Sequence, residues 1–148
     1  MRSDDDEPGV TIALPRFGSC CYRESDVIRF PWGLPGFSAL RRFIPLEFDD
    51  DGRIWLQSLD DPAVAIPTAD AARRVPGYAP QLPGYAEDSL DLGDGAERLF
   101  LLVDGDSEAL EPAAPIVVNL RTRTARQIVL ENRPRRVGPA ASVAAAGG

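Results

Sequence analysis

Short apolar runs alternate with turn-forming residues along this chain, and nowhere does the hydrophobic pattern keep the 3.6-residue period of a long amphipathic helix. Val10–Leu14 has the composition of a first strand. Asp26–Phe30 alternates, which puts Ile28 and Phe30 on one face of an extended segment. Phe37, Leu40, Phe43 and Ile44 recur at helical spacing behind Ser38, a good cap, so the pattern predicts one helical turn over Ser38–Arg42. Arg42–Phe48 then reads as a strand that Pro45 restricts to an edge or a bulge. Asp51-Gly52 is a hairpin signal with Arg53–Leu59 as the return strand, broken by Asp60-Asp61-Pro62 and followed by a short strand at Ala63–Pro67. Residues 73–98 are rich in Pro and Gly, with a helical turn near Tyr85–Leu90. Leu99–Val103 is apolar throughout, as a buried strand would be. Ile116–Leu120 and Ala125–Leu130 form a hairpin across Arg121-Thr122-Arg123-Thr124.

These elements amount to about seven or eight short strands with at most short helical turns, so the fold class is all-β: a small antiparallel β-barrel or sandwich. A parallel α/β sheet is excluded because the chain has no room for crossover helices. At 148 residues the chain is the size of one domain, and 44% hydrophobic residues suffice to fill its core. Residues 1–8 are expected to be a disordered acidic tail, 9–133 the folded domain and 134–148 a disordered Ala/Gly-rich tail.

The net charge of −7 argues against nucleic acid, whose phosphates would be repelled, and favours basic or neutral protein partners. All the basic residues are Arg, which reflects composition rather than a demand for guanidinium contacts. No apolar run is long enough for a membrane span, and the Met-Arg-Ser-Asp-Asp-Asp-Glu start is no secretory signal. A cytoplasmic protein is expected, with the adjacent Cys20 and Cys21 as reduced thiols.

The chain contains no histidine, which removes Ser-His-Asp and Cys-His catalysis and most zinc sites. The Glu47–Ser58 segment imitates an EF-hand opening but ends in Ser58 where a bidentate Glu is needed. Gly93-Asp94-Gly95 reads as a turn, not a phosphate loop. No enzymatic activity, cofactor or metal is expected. The six arginines from Arg121 to Arg136 are the one feature that suggests RNA, but no aromatic residues for base stacking accompany them in that stretch.

Three blocks stand in order along the chain. The first is Phe30-Pro31-Trp32-Gly33-Leu34-Pro35-Gly36-Phe37 and the second Trp55-Leu56-Gln57-Ser58-Leu59-Asp60-Asp61-Pro62. The third is Ala114-Pro115-Ile116-Val117-Val118-Asn119, continued by Gln127-Ile128-Val129-Leu130-Glu131. Together these blocks resemble the FliW family of flagellar assembly factors, and with Pro76–Leu82 the resemblance covers most of residues 10–132. Most of these residues are expected to maintain the fold. Gly33 and Gly36 flank Leu34-Pro35 in a tight turn, from which Leu34 and Phe37 plug one barrel end. Trp55 is expected in the core, and Gln57 and Asn119 are expected to satisfy loop backbone groups. Ser58, Asp61, Pro62, Pro115, Gln127 and Leu130 complete the set.

The resemblance implies a partner-switching role, since members of the family bind flagellin and the translational repressor CsrA. The expected partner-binding residues are the acidic loops Asp49–Asp51, Glu87–Glu97 and Asp104–Glu111, represented by Asp49, Asp50, Asp51, Glu87, Asp104 and Glu108. Tyr78 and Tyr85, with Trp32, supply an apolar grip for an amphipathic helix. The chain departs from the family in its short acidic 104–113 loop, its 67–74 segment, its Cys pair and its Ala-rich tail. The alternatives are a dedicated flagellin export chaperone without CsrA binding, and an RNA-binding small β-barrel.

Overall fold

The computed structural model describes residues 8–48, 51–93, 97–104 and 110–130, and both expected tails lie outside them apart from Pro8. Strands β1 (Val10–Leu14) and β2 (Gly18–Tyr22) form a separate antiparallel hairpin. Seven further strands close a barrel in chain order: β3 (Ile28–Arg29), β4 (Arg42–Leu46), β5 (Arg53–Ser58), β6 (Ala65–Asp70), β7 (Arg98–Val103), β8 (Ile116–Asn119) and β9 (Thr124–Gln127). Two short helices, α1 (Ala71–Arg74) and α2 (Gly84–Ser89), lie between β6 and β7. The all-β barrel expected from the pattern is the fold observed.

One pairing is not antiparallel. Seven strands laid down in alternating directions leave the first and last pointing the same way, so β3 and β9 close the barrel in parallel, with Arg29 opposite Thr124. Strand β2 was not legible, because Gly-Ser-Cys-Cys-Tyr has neither an apolar run nor a clear alternation. It forms because β1 folds back on it in register from Val10↔Tyr22 to Leu14↔Gly18.

The barrel interior is filled from alternate positions: Ile28 and Phe30, Phe43, Ile54 and Leu56, Leu101, Ile116 and Val118, and Ala125. Phe30 and Phe43 meet edge to face at 5.1 Å. Strands β7 and β8 are apolar on both faces because both faces are covered. Outside the barrel, Val117 packs with Leu82, Ala86, Leu90, Leu92, Ile128 and Leu130 around α2. Leu102 packs with Ala69, Ala71 and Leu110 beside α1. Burying each such Leu contributes about 1.5–3 kcal/mol.

No helix forms over Ser38–Arg42. The segment is a chain of tight turns, with the N–H of Gly33 donating to Phe30 O at 2.8 Å, Phe37 to Leu34 O at 2.7 Å and Leu40 to Phe37 O at 2.9 Å. Successive three-residue turns imitate helical spacing without continuing into a helix. Of the two expected plugs, Leu34 enters the core, whereas Phe37 is 40% exposed. Pro45 sits in β4 opposite Leu56 of β5, and β3 is too short to reach it on the other side, so its missing N–H is tolerated. Strand β6 runs three residues past Pro67, since the Thr68 hydroxyl satisfies itself on Ile54 O at 2.8 Å. Asp70 then caps α1 through Ala72 N at 3.0 Å.

Gly33 and Gly36 both have positive φ, 69° and 85°, but their surroundings differ. A Cβ on Gly33 would lie 2.7 Å from the Ser38 backbone, whereas one on Gly36 meets nothing within 4 Å. Gly36→Ala should therefore lower stability by about 1–2 kcal/mol. Gly33→Ala should lower it by about 3 kcal/mol or more. Urea unfolding of the two variants checks the order, and equal losses would show that the Ser38 contact is not limiting.

Candidate functional site

The described polar residues of the second and third sequence blocks hold backbone in place. The buried Gln57 aims its Nε2 at the carbonyls of Ser58, Pro62 and Val64, at 3.0, 2.9 and 3.2 Å. The Ser58 hydroxyl accepts the N–H groups of Asp60 and Asp61 at 3.0 and 2.9 Å, and Asp61 accepts that of Ala63 at 3.1 Å, which shapes the turn before Pro62. Asn119 donates to Leu90 O at 2.8 Å and accepts from Arg121 N at 2.9 Å, tying the α2 segment to the β8–β9 turn. Gln127 donates to Ala114 O at 2.8 Å, next to the buried Pro115, whose carbonyl takes Ile128 N. The expected backbone roles of Gln57 and Asn119 are those observed.

Asp60 is a polar anchor that the sequence did not single out. Its carboxylate accepts Arg41 N at 2.7 Å and Arg42 N at 2.9 Å, with Arg42 Nε at 3.4 Å. Partial burial works against its charge, but these donors and the Arg42 guanidinium outweigh that and hold the carboxyl below its ordinary value.

Trp55 is not a core residue. It stands between the inward Ile54 and Leu56, so strand alternation turns it outward. There Phe17, from the β1–β2 turn, meets it edge-on at 5.5 Å and stacks with Phe48 at 5.0 Å, while the Arg16 guanidinium lies 5.3 Å from the indole. The tryptophan fastens the hairpin to the barrel.

The three of these acidic residues that are described, Asp51, Glu87 and Asp104, do not gather into one patch. Asp51 accepts Arg53 N at 2.9 Å, and Asp104 pairs with Arg53 Nη2 at 3.2 Å, so these two converge on one arginine. Glu87 lies 4.0 Å from Arg98, at the other end of β7, about 20 Å along the strand from Asp104. Asp49, Asp50 and Glu108 lie outside the described residues.

Tyr78 is no surface grip. Its hydroxyl donates to Pro112 O at 2.7 Å and its ring meets Phe100 edge-on at 5.7 Å. Burial, and then Glu111, push its phenol well above the ordinary range. Tyr85 and Trp32 are surface residues, 49% and 45% exposed. The parallel β3–β9 closure carries Trp32, just after β3, alongside Arg126 of β9. The Arg126 guanidinium lies 4.4 Å from the Trp32 ring and 5.0 Å from the Tyr85 ring, with Nη1 donating to Ser89 Oγ at 3.1 Å. Sequence reasoning grouped Arg126 with an RNA-binding edge. Of the described arginines in that edge, Arg121 pairs with Asp91 at 2.9 Å, Arg123 donates to Asp26 O at 2.9 Å, and Arg126 is stacked.

Comparison with known proteins agrees with this geometry. The family model described as FliW protein matches residues 11–138. The flagellar assembly factor FliW of Geotalea uraniireducens is 38% identical over 130 residues, covering 82% of this chain and 78% of that protein. That of Bdellovibrio bacteriovorus is 36% identical over 129 residues, covering 83% and 74%. A crystal structure of the flagellar assembly factor FliW superposes with a TM-score of 0.78 at 25% identity, covering 89% of this chain and 99% of that one.

The Asp60 anchor gives a pH-dependent expectation. A carboxyl held below its unfolded value stabilises the fold above about pH 4 and loses that contribution as the pH falls through its folded value. Asp60→Asn should therefore lower stability by about 1 kcal/mol at neutral pH, and the gap to wild type should close in acid. Thermal melts of both proteins from neutral to acidic pH check this, and a gap independent of pH would show that the charge is immaterial.

Proposed function

The chain belongs to the FliW family of flagellar assembly factors, and we propose that within it the protein is a non-catalytic, cytoplasmic binding protein that sequesters a CsrA-type translational regulator and binds flagellin, relieving repression of flagellin translation. The observation that carries the reading is the family match over residues 11–138, which spans the whole barrel and its covering segment. The net charge of −7 supports it independently, because an acidic protein complements the basic surface that an RNA-binding regulator needs and repels the competing phosphate backbone. No helix of the described residues is long and apolar enough to cross a membrane. In this reading the Asp49–Asp51 turn meets the basic regulator.

A second reading has one observation in its favour. The exposed Trp32 and Tyr85 suit an apolar contact, as a flagellin export chaperone without CsrA binding would need. Calorimetric titration of the purified protein with CsrA and with monomeric flagellin separates the readings. Binding of both is expected, with CsrA affinity falling about tenfold or more between roughly 50 and 500 mM salt and flagellin affinity changing less. Flagellin binding alone would establish the chaperone reading, and binding of neither would overturn both. Reversing Asp49, Asp50 and Asp51 to Lys should weaken CsrA binding about tenfold while the circular dichroism melt persists. Unchanged affinity would exclude that turn.

A further inference from the structure

The β1–β2 hairpin stands apart from the barrel it accompanies. Its strands pair only with each other, and among the described residues no main-chain hydrogen bond joins Val10–Tyr22 to a barrel strand. Every barrel strand, by contrast, is bonded on both sides. The chain passes from the hairpin into the barrel once, through Arg23, whose backbone is extended. Just beyond, it is tied down. Glu24 pairs with Arg29, Asp26 O accepts Arg123 Nη2 at 2.9 Å, and Val27 is fully buried. The hold on the hairpin lies at its tip. Alternation puts Val10, Ile12 and Leu14 on one face, opposite Tyr22, Cys20 and Gly18. Burial rises along that face from Val10, 45% exposed, through the half-buried Ile12 to Leu14 at 3%. In the turn that follows, Phe17 meets Trp55 and Phe48, and the Arg16 guanidinium lies over the indole. Trp55 is itself the middle of an apolar strip, with Leu46 and Pro67 directly opposite it on the outer face of β4 and β6.

We propose that the hairpin is a strap, fastened at its tip and hinged at Arg23, that opens while the barrel stays closed and uncovers the Leu46, Trp55 and Pro67 strip. The difference in what each motion breaks carries the argument. Releasing the strap separates Leu14, Arg16 and Phe17 from their neighbours and disturbs no ladder, because none joins hairpin to barrel. Releasing a barrel strand breaks two rows of main-chain hydrogen bonds and empties the core behind them. The ties at Glu24, Asp26 and Val27 hold β3 on the barrel while the hairpin swings. A two-stranded hairpin without support is only marginally stable in water, so an opened strap also loosens its own pairing. The strap hides a surface that the closed protein does not present, and neither Trp32 nor Tyr85 belongs to it. It goes beyond the reading above and does not rest on it.

The test is hydrogen exchange of the full-length protein in low urea, followed amide by amide. Amides bonded between β1 and β2 should exchange at least about tenfold faster than the slowest amides of β7 and β8, with a shallower urea dependence. Two variants then separate the levels of opening. Phe17→Ala weakens the closed state against every open one, so it should speed both sets of amides about tenfold. Val117→Ala, in the buried layer outside β8, weakens the barrel equally whether the strap is open or closed. It should therefore speed the β7 and β8 amides about tenfold and leave those of the hairpin unchanged. Arg16→Gln, which removes an exposed cation from the tip, should speed both sets about threefold without endangering the fold. Circular dichroism melts establish that the variants are folded. If Val117→Ala speeds the hairpin amides as much as those of the barrel, the two open together and the proposal is overturned. Hairpin exchange indifferent to both Phe17→Ala and Arg16→Gln would overturn it too, since the tip would then not be the fastening. None of these outcomes depends on whether CsrA or flagellin binds, so failure here and failure of the family-based reading remain distinct.

Discussion

An odd number of strands imposes the constraint on which the rest of this barrel depends. A meander of seven strands cannot close antiparallel, so the last must run beside the first in the same direction. Parallel pairing is slightly weaker per residue, and here β3 contributes only Ile28 and Arg29 to it. Main-chain bonds alone, such as Arg29 N to Arg123 O at 2.9 Å, leave the seam thin. Side chains make up the difference. Arg123 reaches across to Asp26 O, Phe30 turns inward onto Phe43, and Trp32 covers Arg126. The Phe30–Phe37 block thus belongs to closure as much as to the turn it forms, since its Leu34 caps the core at that end.

A second layer explains why a domain of this size is stable with so short a set of strands. The outer faces of β7 and β8 are roofed by the segment from α1 to Leu92, and that of β5 by the tip of the β1–β2 hairpin. Covering both faces of a strand removes the polar alternation that an exposed face would require. It also forces the connecting loops to be held by side-chain hydrogen bonds. Gln57, Ser58, Asp60 and Asn119 do this, each bridging backbone groups that the strands leave unpaired.

The barrel was legible in the sequence wherever one physical signal dominated. The Asp51-Gly52 turn, the apolar β7 and the β8–β9 hairpin all emerged from local pattern. Legibility ended where tertiary context decided. Strand β2 forms only because β1 templates it, and tight turns produced the spacing that imitated a helix at Ser38–Arg42. Trp55 read as a core residue by size alone, although its position between Ile54 and Leu56 already fixed it on the outer face. The candidate surface was only half visible. Trp32 and Tyr85 were recognised as exposed aromatics, but their meeting at Arg126 follows from the parallel closure, which no local pattern encodes. Tyr78 shared their chemistry and not their setting.

Trp32 hangs from the first strand of the barrel and Tyr85 from the helix beside the last, with Arg126 between them. A molecule seated on both rings therefore bridges the two edges of the seam and favours the closed barrel over any opened form. By thermodynamic linkage its binding free energy becomes resistance to unfolding, growing with ligand concentration as RT ln(1 + [L]/Kd). The reverse follows with equal necessity: whatever loosens the seam weakens the grip, so the integrity of the fold and the occupancy of its surface report on one another.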